Sequence, residues 1–100
     1  MDKERVSHKN LRKMTKKGYI EILEYICKNQ PVHYIDIMNF GLTGKVVESR
    51  ATVTIIMREL LKLNLVERTI VDAQPIRTVY KPTTKGEHIL KLLQEIEAAL

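Results

Sequence analysis

The sequence predicts a mainly helical α+β fold: a three-helix core, a two-stranded hairpin and a closing helix. Three observations lead there. Apolar side chains recur at three- and four-residue spacing from Tyr19 and again from Ala51, the period of an amphipathic helix. Between Leu65 and Lys81, two runs rich in β-branched residues flank Asp72 to Pro75, a composition suited to a hairpin turn. Thr84 and Glu87 then stand three apart before a last apolar-striped segment, the spacing of a helix capping box.

Each element follows in order. Residues 1–17 form a basic N-terminal arm with few apolar side chains, Val6, Leu11 and Met14. Leu11 and Met14 are three apart, which allows a short helix; the composition equally allows a chain without fixed structure in isolation. The domain proper spans 18–100. In its first helix Tyr19, Ile22, Leu23 and Ile26 face one way, with Glu21, Glu24 and Lys28 outside. Pro31 cannot continue that helix and disfavours the helical conformation at Gln30. Val32 and His33 are enough for a minor edge strand. Tyr34 to Phe40 reads as a short second helix closed by Gly41. Lys45 to Glu48 either extends the following turn or begins a helical one.

Ser49 offers a hydroxyl to cap the third helix. Val53, Met57 and Leu60, flanked by Ile56 and Leu61, form its inward stripe, and Arg50, Thr54, Ile55, Arg58 and Lys62 form the complementary face. Asn64 should stop it, because asparagine tolerates a left-handed backbone. Pro82 ends the second strand. The final helix, 84–100, carries Ile89, Leu92, Leu93 and Ile96 on one stripe.

One hundred residues and 44% hydrophobic content suit one modest domain. No apolar run approaches the ~20 residues that span a bilayer, and the charged N-terminus lacks the apolar centre of a signal peptide. With one cysteine, Cys27, an internal disulfide is excluded, and a cytoplasmic protein is expected. No phosphate loop, nucleophile elbow or metal-binding helix motif occurs, so neither catalysis nor a cofactor is expected.

The net charge of +5 is unevenly placed. Residues 1–17 hold seven basic and two acidic side chains, and residues 49–85 hold seven and three. Segments 18–48 and 86–100 are each net −2. Positive charge is thus gathered on the arm and on the third helix with its hairpin, as on a surface that faces phosphates. For the arm, a solvated basic tail explains the charge as well. A polar, basic helix followed by a basic hairpin can enter a DNA major groove while the hairpin reaches the adjacent backbone. Double-stranded DNA is the expected partner.

Ser49, Thr52 and Val53, the exit from Leu60 through Leu65, Val66, Glu67 and Arg68, and Tyr80 followed by Thr83, Thr84, Lys85 and Gly86 together resemble the winged helix-turn-helix regulators. The chain looks closest to small MarR- and PadR-like bacterial and archaeal regulators over residues 19–95. Asn64 stands where that family usually has glycine, and Pro82 where an apolar residue is common, which predicts a short second strand. The loop from Gly41 to Glu48 is longer than usual. The resemblance implies a recognition helix from Ser49 to Leu63 and a wing over 67–81. It places Ser49, Arg50, Thr52, Thr54, Ile55 and Arg58 against DNA, with Arg68, Arg77 and Lys81 meeting phosphates or the minor groove. The function implied is transcriptional regulation, most simply repression by covering a promoter.

The final helix has more apolar surface than one domain needs. Ile89, Leu92, Leu93, Ile96 and Leu100 recur at roughly heptad spacing, and Leu11 and Met14 of the arm can join the same contact. Relatives of this kind usually pair through terminal helices, so a homodimer is expected; a monomer with the last helix folded back is the alternative. A different use of the same fold is a protein-contact or assembly module, favoured by the adjacent Ile55 and Ile56. A surface pair explains His33 and Asp36 better than a metal site, and a core position explains Cys27 better than a redox switch. Any small-molecule effector is unspecified.

Overall fold

The computed structural model describes residues 7–71 and 77–100. The elements are α1 (Lys9–Met14), α2 (Tyr19–Asn29), β1 (Val32–His33), α3 (Tyr34–Thr43), α4 (Arg50–Lys62), β2 (Val66–Val71), β3 (Arg77–Pro82) and α5 (Thr84–Ala99). This is the expected mainly helical α+β architecture. The turn at Asp72 to Pro75, the start of the second strand at Ile76, and Lys3, Arg5 and Val6 of the arm lie outside the described residues.

Core residues come from every layer. Tyr19, Ile22, Leu23 and Ile26 of α2 meet Ile37 and Met38 of α3 and Val53, Ile56, Met57 and Leu60 of α4. Met14 of α1 is also in this core, so part of the basic arm is packed. The strands form one antiparallel sheet in the order β1-β3-β2, with Tyr80 opposite both Val32 and Arg68. The optional strand at Val32 is therefore real, and it covers the outer edge of β3. Pro82 does not cut the second strand short of itself: it is the last paired residue, opposite Val66.

Two boundaries differ from the sequence reading. Gly41 does not close α3, which continues to Thr43. A Cβ at Gly41 would lie 3.0 Å from Val53 Cγ2, so this glycine permits close approach of α3 to α4. The carbonyl of Gly41 then accepts from the N–H groups of Val46 and Val47, at 3.0 and 3.1 Å. Lys45 to Glu48 is accordingly a turn, and Val47 is buried. At the other end, the cap of α5 is Thr83, one residue earlier than expected. Its hydroxyl accepts from the Gly86 N–H at 2.9 Å and donates to the Asn64 carbonyl at 2.7 Å. Thr83 can do both because the strand has just ended at Pro82, whereas Thr84 already lies within the helix.

Candidate nucleic-acid interface

The third helix, α4, starts and stops where its sequence directs. Ser49 has an extended backbone and accepts from the Thr52 N–H at 3.2 Å, as a capping serine does. Asn64 adopts φ 62, and the N–H groups of Leu65 and Asn64 bond the carbonyls of Leu60 and Leu61 at 2.9 and 3.0 Å. That reciprocal pair is a Schellman ending, and asparagine supplies its left-handed residue.

With Val53, Ile56, Met57 and Leu60 buried, the helical period sends Ala51, Ile55, Arg58 and Lys62 directly outward. Arg50 and Thr54 lie on one flank of that face, Thr52 and Glu59 on the other. Arg50, Ile55 and Arg58, all expected at DNA, are exposed. Ala51 and Lys62 belong to the same face; Ala51 carries no polar group, so only the completed wheel points to it.

The hydroxyls are less free than the cations. Thr54 Oγ1 lies 2.8 Å from the Tyr34 hydroxyl and donates to the Arg50 carbonyl at 3.2 Å. Thr52 is half-buried, with its hydroxyl 3.0 Å from that of Ser49. The expected threonine contacts are thus engaged within the protein. Tyr34, at the start of α3, is a residue the sequence reading missed, because its tie to Thr54 depends on the angle between two helices. Its ring also packs at 5.9 Å from that of Tyr80.

The hairpin splits the other three cations. Strand alternation puts Arg68 on the face shared with Val66 and Tyr80, whereas Arg77 and Lys81 lie on the opposite face with Glu67. Arg68 joins Arg58 and Lys62 around a cleft of about 580 Å³ between α4 and the hairpin base, lined also by Tyr34, Thr54, Met57, Leu61 and Tyr80. Among the described residues no carboxylate lines it. Glu59, the acid of α4, is held by Lys13 of α1. That hydrogen bond, with Lys62 and Arg58 nearby, holds the Glu59 carboxyl below the usual glutamate range. Arg50, Arg58, Lys62 and Arg68 have no ion-pair partner among the described residues.

A second surface is apolar. Leu11 and Met14 of α1 come together with Leu63, Leu65, Ile89, Leu92, Leu93 and Ile96 around a groove of about 330 Å³, with Asn10 and Lys85 at its margin. Leu11 is 47% exposed, Ile96 50% and Leu100, beyond the groove, 96%. The residues expected to pair two copies therefore converge, apart from Leu100.

Other candidates are dispersed. His33 Nδ1 lies 3.8 Å from Asp36 Oδ2, and among the described residues no three metal-ligating side chains cluster. Burial pushes the half-buried Cys27 thiol up, with Glu87 and Glu24 adding to it, which disfavours the reactive thiolate. No described helix is long and apolar enough to cross a membrane.

No family model and no curated protein matches the chain in sequence. Solved structures do match its fold. The reduced form of the transcriptional regulator YodB from B. subtilis superposes with a TM-score of 0.75 at 21% identity, covering 91% of this chain and 84% of that one. A MarR-family transcriptional regulator from Porphyromonas gingivalis W83 gives 0.70 at 19% identity, covering 98% and 91%. A PadR-family transcriptional regulator from Eggerthella lenta gives 0.69 at 15%, covering 97% and 86%. The chain has the winged-helix fold of these regulators.

Proposed function

We propose that this chain is a DNA-binding transcriptional regulator that acts as a homodimer, most simply by occluding a promoter. The observation that carries the reading is the set of exposed cations Arg50, Arg58, Lys62 and Arg68 on α4 and the adjoining hairpin, which have no ion-pair partner among the described residues. The fold shared with named transcriptional regulators supports it.

In this reading α4 lies in the major groove. Arg50 and Arg58 can each make paired hydrogen bonds to guanine O6 and N7, and the Ile55 side chain packs on a thymine methyl. Ser49, Thr52 and Thr54 hold the helix start and its Tyr34 contact in shape. Arg68 meets backbone phosphates on one side of the hairpin, and Arg77 and Lys81 do so on the other. Two copies pair through Leu11, Ile89, Leu92, Leu93, Ile96 and Leu100, whereas Met14, expected in the same contact, is buried in the core and supports Leu11 from beneath. A two-fold pair of recognition helices reads half-sites about one helical turn apart, roughly 34–36 Å. Residues 1–17 then serve as an arm that contributes both to pairing and to positive charge.

Selection of bound duplexes from a random pool tests the reading. The expected result is a short motif repeated with two-fold symmetry. A pool that stays unenriched at low salt overturns sequence-specific binding. A second reading, a module for protein contact, draws on Ile55, which is 47% exposed at the centre of the outward face. In that case binding to the partner is nearly independent of salt.

A further inference from the structure

We infer that the cleft between α4 and the hairpin base seats a single phosphate group, and that in the DNA complex this is one backbone phosphate per half-site. The inference rests on the DNA reading above and deepens it. A helix lying in the major groove and a hairpin lying outside it have one sugar-phosphate strand between them. The space that strand must occupy is the gap where α4 and β2 diverge.

That gap is built for an anion. Arg58 and Lys62 border it from α4 and Arg68 from β2, while its floor is apolar, made of Met57, Leu61 and the ring of Tyr80. Tyr80 is only 7% exposed, so the floor is fixed in place. The nearby acids are turned elsewhere: Glu59 is bound by Lys13, and Glu67 lies on the other face of the hairpin, opposite Lys81. Two side-chain hydroxyls, of Tyr34 and Thr54, also line the cleft and lie 2.8 Å apart; with the Thr54 proton on the Arg50 carbonyl, Tyr34 is the donor between them. A bound phosphate oxygen takes the Tyr34 hydroxyl proton in place of Thr54 Oγ1, and Thr54 keeps its bond to the Arg50 carbonyl. Three cations from two elements bound to one phosphate also fix the angle between helix and hairpin, which a lone surface lysine cannot do.

The test is a scan of the selected duplex with neutral methylphosphonates, one phosphate at a time, against the wild-type protein and Arg68→Gln. Wild type should lose about tenfold in affinity at one position per half-site, the scale of one charge-assisted hydrogen bond. Arg68→Gln should lose clearly less than wild type at that same position, since one of the three cations that meet the phosphate is gone, and its salt slope should fall by about 1. Tyr34→Phe should keep the slope and bind about 3- to 10-fold more weakly. If Arg68→Gln binds duplex with the wild-type scan profile, the cleft is not a phosphate seat, although DNA binding stands. Tyr34→Phe indistinguishable from wild type removes the hydroxyl from the seat. If wild type binds no duplex at 50 mM salt, the DNA reading falls, and inorganic phosphate decides the rest. Saturable NMR shifts at Tyr34 and Arg68 then keep a site for free phosphate; their absence overturns it.

Discussion

Helices α4 and α5 are built alike and left uncovered differently. Both are amphipathic, 13 and 16 residues long, and both begin at a hydroxyl cap. Four large apolar side chains of α4 are buried, and its outward face presents Arg50, Arg58 and Lys62. Only Gly86 and Leu90 of α5 are buried, and its uncovered face is Leu92, Ile96 and Leu100. A helix anchored by its whole apolar stripe can leave its remaining surface to a charged partner. A helix whose stripe is half in water is completed by another apolar surface. The molecule thus separates two kinds of surface, one cationic and one apolar, onto consecutive parts of the chain.

The strongest way to break this contrast is ionic strength. If six to ten phosphates are met, duplex affinity should fall about 10³–10⁵-fold between 50 and 200 mM salt. Self-association through α1 and α5 should scarcely move over the same range. Fluorescence anisotropy and sedimentation on the same samples measure both, and parallel losses would mean that the two surfaces are not different in kind.

Next in size is the joint between them. A Cβ at Gly86 would lie 1.9 Å from the Leu65 carbonyl oxygen, a backbone atom that cannot step aside. Gly86→Ala should cost about 3 kcal/mol or more in denaturant unfolding, at the upper end of overpacking effects. A loss below about 0.5 kcal/mol, the usual size of a harmless surface change, would show that the contact yields.

Single-residue changes on the apolar side sharpen the comparison further. Ile96 is half-exposed, so Ile96→Glu should leave the fold intact while removing roughly 1 kcal/mol of apolar burial on pairing from each copy, half the value of a fully exposed side chain, and setting a charge in the contact. Sedimentation should give a monomer, and Arg58→Ala should keep the dimer while weakening DNA binding. An unchanged dimer with Ile96→Glu would move the pairing surface away from α5.

The smallest expected effect concerns Lys13 and Glu59, which tie α1 to α4. The Glu59 carboxyl is depressed chiefly by the Lys13 hydrogen bond, so its contribution is present above the ordinary glutamate value, about 4.3, and is lost as pH falls through the lower folded value. Glu59→Gln should therefore be slightly less stable than wild type at pH 6, with the gap closing in acid. Thermal melts across that range check the sign; a gap that widens in acid would reverse it.

The order of elements, the Ser49 cap and the Asn64 stop were legible because each depends on a few neighbouring residues. The apolar groove was legible too, since Leu11, Met14 and the α5 stripe carry more hydrophobic surface than one small core takes up. What escaped were facts of tertiary placement. Tyr34 and Thr54 are 20 positions apart and meet where α3 crosses α4, two helices that also approach closely at Gly41 and Val53. The division of Arg68 from Arg77 and Lys81 needed the register of β2 on β3, which the residues outside the described structure join. Only Thr84 has an acidic residue three positions on, yet the cap is Thr83, because the strand ends at Pro82 and leaves Thr83 extended; Pro82 proved to be the last paired residue of its strand.

The link between α4 and α5 has one more consequence. The carbonyls of Leu63, Asn64 and Leu65 are taken by Lys85 Nζ, the Thr83 hydroxyl and the Thr83 N–H, at 2.9, 2.7 and 3.0 Å. The end of one helix and the start of the next therefore make a fixed bracket with no slack at its corner. In a paired molecule, the azimuth at which the two α5 helices meet becomes the pointing direction of both α4 helices. One residue inserted midway along α5 would turn the distal pairing surface by about 100° relative to that bracket. Such a protein would keep its grip on each half-site and lose the spacing between them.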